Sequence, residues 1–194
     1  MQAPLKYPTD ADSIISELYP VGSVAYEILR RHGNLVAAKA LSVADGVLQL
    51  KPDLEFIRAA AMLHDIGICQ TDSPAWGCFG RHSYICHGVL GRQLLEERGL
   101  YKLAVVCERH VGVGISAADV RRKRLPLPER DMLPVSIEER IICYADKFFS
   151  KNGSGSREKS LAEITPEIER YGPEKIKLFL SWVKMFEAGE SNVW

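Results

Sequence analysis

Ala59-Ala60-Ala61-Met62-Leu63-His64-Asp65-Ile66-Gly67 is the stretch on which the reading of this chain turns. The alanines and leucine make an apolar, helix-favouring run, and it ends in an adjacent imidazole and carboxylate. Buried histidine and aspartate must be paired, hydrogen-bonded or coordinated to metal, because an isolated buried charge is too costly. Neighbouring residues on a helix point about 100° apart, so His64 and Asp65 can converge on one ion only near a helix end. Gly67 is read as that end. The two oxygens of Asp65 could also reach two ions at once.

Outward from this stretch, helical periodicity dominates. Val24, Ile28 and Leu29 lead up to His32, and a second segment from Asn34 to Leu50 carries a broad apolar face. Pro52 and Asp53 open the helix that runs to Asp65. Pro74, Gly77 and Gly80 mark residues 70–81 as a loop. Ser83 to Arg98 reads as a helix stopped by Gly99, and Tyr101 to His110 as one ended by Gly112 and Gly114. Ser116 is placed to cap a short helix through Arg124. After a proline-rich crossing, Ser136 and Glu139 suit a capping box that opens a helix carrying Asp146. Lys151 to Ser156 looks flexible and well placed to gate access. Thr165-Pro166 and Gly172-Pro173 are read as the starts of two more helices. With strand-like alternation scarce, the fold class expected is all-α: residues 1–19 an N-terminal segment, 20–150 a helical domain, 151–194 a linker and C-terminal helices.

The bulk numbers narrow the function. Lys plus Arg and Asp plus Glu are both 25, so no global charge favours nucleic acid or a membrane surface as partner. No apolar run approaches the roughly 20 residues that span a bilayer, and no targeting segment is visible, so a cytoplasmic protein is expected. The five cysteines form no C-x-x-C pair and read as reduced, structural thiols. Trp182, Phe186 and Trp194 give the C-terminal helix the look of a packing or homo-oligomer face.

The remaining chemistry lies in His32, His87, His110 and Asp146, each inside or at the edge of an apolar helical stretch. The ordered set His32, His64-Asp65, Asp146, with the local form His64-Asp65-Ile66-Gly67, resembles the HD-domain superfamily of metal-dependent phosphohydrolases. The likeness extends to His87-Gly88-Val89-Leu90-Gly91 and Glu108-Arg109-His110-Val111-Gly112, over about residues 20 to 150. It is closest to a small prokaryotic branch whose two extra histidines provide a second metal position. The resemblance implies an HD-type helical bundle with a short C-terminal extension. It implies one divalent metal held by His32, His64, Asp65 and Asp146, with Asp65 bridging to a second held by His87 and His110. His64 and Asp65 would be the catalytic pair. Two metals can activate water and stabilise phosphate oxygens during in-line displacement, so no serine or cysteine nucleophile is needed. Imidazole and carboxylate together suit iron, manganese, cobalt, nickel or zinc.

The expected substrate is a nucleotide or another small phosphate ester or anhydride. Arg81, Arg109 and Lys147 adjoin proposed ligands and are candidates for holding phosphate, and His82 is a candidate substrate contact. Each has a plainer reading as a surface or loop residue. Arg121-Arg122-Lys123-Arg124 reads as a solvated face balanced by acids such as Glu129 and Asp131, ahead of a polyphosphate grip. The Gly-Tyr-Pro signature of the cyclic-dinucleotide phosphodiesterases does not follow His64-Asp65. Two other readings stay open: an HD-type diiron oxygenase, and a noncatalytic binding or regulatory module stapled by metal.

Overall fold

A computed structural model describes residues 11–152 and 156–187. Among these residues the chain forms nine α-helices, short 3-10 turns and one pair of two-residue strands, an all-α fold. Helix α1 is Ala11–Leu18, α2 is Val24–Asp45 and α3 is Leu54–Leu63. Then come α4, His87–Glu96, and α5, Tyr101–Arg109. Helix α6 is Ala117–Lys123, α7 is Ile137–Asp146, α8 is Leu161–Glu169 and α9 is Pro173–Glu187.

Helix α3 lies at the centre. Its Ala60, Ala61 and Leu63 are almost completely buried, and the small alanines let α2, α5 and α7 all pack against it. Asp53 caps it by accepting from the Phe56 amide. The expected break between His32 and Asn34 does not occur: α2 runs unbroken for 22 residues. Gly33 serves there as a contact point, since a Cβ would lie 3.1 Å from the Met62 backbone where α2 crosses α3.

Gly67 likewise does not end α3, which stops at Leu63 with His64 as its C-cap. Gly67 belongs to the following 3-10 turn, Ile66–Gln70, and lies against the start of α4. A Cβ on it would meet the His87 carbonyl oxygen at 2.2 Å and the Gly91 amide nitrogen at 2.3 Å. Gly88 and Gly91 repeat the device toward α5: a Cβ on Gly88 would lie 2.6 Å from the Cys107 carbonyl oxygen, and one on Gly91 3.2 Å from both Cys107 Cβ and the Gly67 amide nitrogen. The glycines of both motifs are thus contact surfaces between elements that carry histidines.

The loop expected over 70–81 contains a small hairpin in which Asp72 pairs Phe79 and Ser73 pairs Cys78. Ser116 and Asp119 form a full capping box on α6. At α7 only half of the expected box exists. Ser136 Oγ accepts from the Glu139 amide, while the Glu139 carboxylate turns to the Val135 amide and Arg109. Helix α8 starts four residues earlier than Thr165-Pro166 suggests, because Ser160 and Glu163 supply a capping box and Pro166 falls inside the helix. Phe179, Trp182 and Phe186 of α9 are buried in the chain's own core, with α9 packed on α2, α7 and α8; Trp194 lies outside the described residues. All five cysteines are free thiols. No described helix is long and apolar enough to cross a membrane.

Candidate metal centre

Five elements deliver one side chain or pair each to a single point. His32 comes from the middle of α2, His64 and Asp65 from the end of α3, and His87 from the first position of α4. His110 caps the end of α5, and Asp146 is the last residue of α7. All six are buried. One ligand atom from each of His32, His64, Asp65 and Asp146 lies within 4.8 Å of the others, and the same holds for Asp65, His87 and His110.

Asp65 stands between the two groups. Its Oδ2 is 3.1 Å from His64 Nε2 and 3.3 Å from His32 Nε2, while its Oδ1 is 3.3 Å from His87 Nε2 and 3.4 Å from His110 Nε2. Asp146 Oδ1 reaches His32 Nε2 at 2.9 Å and His64 Nε2 at 3.4 Å.

Three of the histidines are aimed by the same device. The Nδ1 of His64 lies 2.6 Å from the Ala61 carbonyl, that of His87 2.7 Å from Tyr84, and that of His110 2.8 Å from Cys107. Each carbonyl is three residues upstream. Because a carbonyl can only accept, Nδ1 carries a proton and Nε2 is the nitrogen turned inward; in the neutral ring its lone pair is free for a metal, the tautomer a ligand needs. Tyr84 stacks on the His87 ring with centroids 4.5 Å apart, holding it from the side.

The electrostatics match. Burial pushes His32 down to about 4 and His87 down to about 3, and lowers His110 as well, so these imidazoles stay neutral. Burial also opposes a charge on His64, but Asp65 and Asp146 outweigh it and raise this imidazole to about 9. Both carboxyls are held well below their ordinary range despite burial, Asp65 by His64 and Lys151, and Asp146 by Lys147 and Lys151.

His64 Nε2 and Asp65 Oδ1 are buried without a hydrogen-bond partner among the described residues. Buried polar atoms are normally paired, and these two converge with neutral imidazoles and anionic oxygens. The donor set fits first-row divalent cations.

A cleft of about 370 Å³ opens onto the centre, lined by His87, His110, Asp146, Lys147 and Lys151, and on its outer wall by Lys159, Glu167 and Tyr171. Lys147 lies in it with Nζ 2.7 Å from Asp146 Oδ2. Arg81 and His82 do not line it; both are exposed, and the His82 backbone is used to pin the hairpin through the Asp72 amide and the Gln70 carbonyl. Arg109 also points elsewhere. As the neighbour of His110 it emerges about 100° away around the helix, binds Glu139 at 3.0 Å, and lines a separate cleft with Asp53 and Lys102. In the basic run, Arg121 pairs with Glu129 and Arg122 with Asp119 on an exposed face.

The residue that sequence reasoning passed over is Lys151. Its Nζ lies 2.6 Å from Asp65 Oδ2, with the side chain only 11% exposed. The signal was the aromatic pair just before it. Phe148 and Phe149 are buried, and anchoring them turns the chain after α7 back toward the centre. Residues 153–155 of the stretch read as a gate lie outside the described residues.

A family model for the HD domain matches residues 19–150. An uncharacterized protein of Methanocaldococcus jannaschii is 28% identical over 161 residues, covering 82% of this chain and 78% of that protein. A tRNA (cytidine(56)-2'-O)-methyltransferase of Thermoplasma volcanium is 28% identical over 187 residues, and one of Picrophilus torridus is 29% identical over 147. These matches take in 92% and 75% of this chain but span only 49% and 38% of the two methyltransferases. Among solved structures, the HD domain of the Listeria monocytogenes phosphodiesterase PgpH superimposes with a TM-score of 0.50 at 17% identity. That match covers 93% of this chain and 88% of that one, and bears on the fold.

Proposed function

The chain belongs to the HD-domain family, and from that premise we propose that it is a binuclear metal-dependent phosphohydrolase acting on a nucleotide or another small phosphate ester or anhydride. The observation that carries the reading is Asp65, whose two oxygens face two separate sets of histidines, beside a cleft that His87, His110, Asp146, Lys147 and Lys151 line. His32, His64, Asp65 and Asp146 would hold one ion, and Asp65, His87 and His110 the second. Divalent ions held there supply a Lewis acid and lower the pKa of water.

The chain's own residues account for the rest. The carbonyl tethers on His64, His87 and His110 fix the ring orientations before anything binds. Lys147 and Lys151 place ammonium groups on the cleft side of Asp146 and Asp65, where phosphate oxygens would lie. Among the described residues lining the cleft, Ser150 is the one serine and there is no cysteine; in this reading the nucleophile is water. The methyltransferase activity named for two relatives is not carried over. This chain spans half or less of each, and we infer that the alignment covers an HD unit joined there to a separate catalytic unit.

The test is phosphate release from a panel of nucleotides, dinucleoside polyphosphates and simple esters, run anaerobically with iron, manganese or cobalt and with His64→Ala as control. Release confined to one class and lost in the control is the expected result. Silence across the panel with metal bound, together with oxygen uptake on any of these compounds, would overturn it in favour of an oxygenase.

A further inference from the structure

Around the centre the carboxylates and lysines form pairs. Asp65 has Lys151 at 2.6 Å and Asp146 has Lys147 at 2.7 Å, with the lysine side chains only 11% and 15% exposed. Further out, Lys159 is matched by Glu167. In a metal site whose carboxylates stand alone, those carboxylates offset much of the cation's charge. Here two ammonium groups have already done so. The positive charge of any ion that the six ligands hold must therefore be balanced by what enters from solvent, because a buried net charge is costly.

Resting on the phosphohydrolase reading, we propose that Lys147 and Lys151 select a dianionic terminal phosphate, as in a monoester or the end of an anhydride, and discriminate against the monoanion of a phosphodiester. A terminal phosphate presents three non-bridging oxygens to a diester's two, so it can meet both ammonium groups and still face the ligand cluster. Lys151 is the sharper of the two selectors. It pairs with the very oxygen of Asp65 that faces His32 and His64, so its ammonium and a bound cation share one acceptor.

The experiment compares wild type, Lys151→Gln and Lys151→Arg, each checked for an intact fold by circular dichroism and melting. Calorimetry first measures Mn²⁺ affinity, then the binding of inorganic phosphate and of dimethyl phosphate to the Mn²⁺-loaded protein at about pH 8. Wild type should prefer phosphate to dimethyl phosphate by about tenfold or more, the scale of one charge-assisted hydrogen bond. Lys151→Gln should bind Mn²⁺ more tightly, lose most of the phosphate preference and leave dimethyl phosphate little changed, and Lys151→Arg should restore the preference. Equal binding of the two anions by wild type would overturn the proposal. So would a Gln variant whose Mn²⁺ and phosphate affinities match wild type, the mark of a purely structural lysine. Turnover of diesters in preference to monoesters would overturn it while leaving the hydrolase reading in place. A Lys151-dependent phosphate preference without turnover of any ester would support it and sink the hydrolase reading instead.

Discussion

Replacing Gly67 with alanine should distinguish the two proposed metal positions in a single experiment. The added Cβ would begin 2.2 Å from the His87 carbonyl oxygen and 2.3 Å from the Gly91 amide nitrogen, both backbone atoms of α4. Backbone has no rotamer in which to escape. Reaching an ordinary contact of 3.4 Å requires the 3-10 turn and α4 to part by about 1.2 Å. Because Gly88 and Gly91 lock α4 onto α5, the displacement carries His87, and in part His110, away from Asp65, whose Oδ1 now lies 3.3 and 3.4 Å from them. Metal coordination tolerates only about 0.2 Å of error in ligand distance. His32, His64 and Asp146 stand on α2, α3 and α7 and should move little. We expect a stability loss of about 1–3 kcal/mol, typical of overpacking, measured by urea unfolding of the metal-free protein. Metal content after dialysis against Mn²⁺ should fall from two ions toward one. A Gly67→Ala protein that holds as many ions as wild type and unfolds within about 0.5 kcal/mol of it would refute the close-approach argument.

Five other outcomes follow from the same geometry. His64, raised to about 9, carries a proton that a metal must displace, so Mn²⁺ affinity should climb with pH toward 9 with proton release on binding, read by a pH indicator. In the metal-free protein the stability from that raised pKa is fully present below the ordinary 6.5 and is lost as pH rises from there through 9. His32 and His87 run the other way, since the unfolded chain binds their protons first. Thermal melts should therefore weaken as pH falls from 6.5 toward 4. Tyr19→Phe removes a hydroxyl that donates to the Ile66 carbonyl and accepts from the Cys69 amide. It should cost about 2 kcal/mol in urea unfolding, because two backbone groups just beyond Asp65 lose their partner. Glu108→Ala leaves Arg92 and Arg130 without the buried carboxylate that joins them; both arginines reach solvent and Arg92 keeps Glu96, so the expected loss is about 1–2 kcal/mol. Mn²⁺ at about 100 times its dissociation constant should add about 2.7 kcal/mol for each ion bound, and EDTA should remove that gain.

Much of this was legible in the sequence because it depends on local pattern. Ser116 followed by Asp119 announces a helix start wherever the chain goes next, and the structure has the full box there. The six candidate ligands are legible as an ordered set because imidazoles and carboxylates among apolar helical residues demand partners, and the structure brings them together. The misreadings share a different cause. Gly67 looks like a helix end in one dimension, and the segments read on either side of Gly33 are one helix; both glycines are sites where two backbones touch, a property of the neighbour that no local window contains. Arg109 looks close to the site because it adjoins His110, whereas adjacency on a helix means divergence. Lys151 sits in a stretch of polar, flexible composition, and only the burial of Phe148 and Phe149 reveals where it is taken.

The three carbonyl tethers have a practical consequence for spectroscopy. Because the rings of His64, His87 and His110 are oriented by backbone at three separate helix ends, their aim would not depend on which ion bound among them. Ions of differing radius and coordination taste should therefore enter one and the same cage. A silent zinc form, a coloured cobalt form and a paramagnetic manganese form ought to be isomorphous, so that distances measured magnetically in one can be transferred to the others.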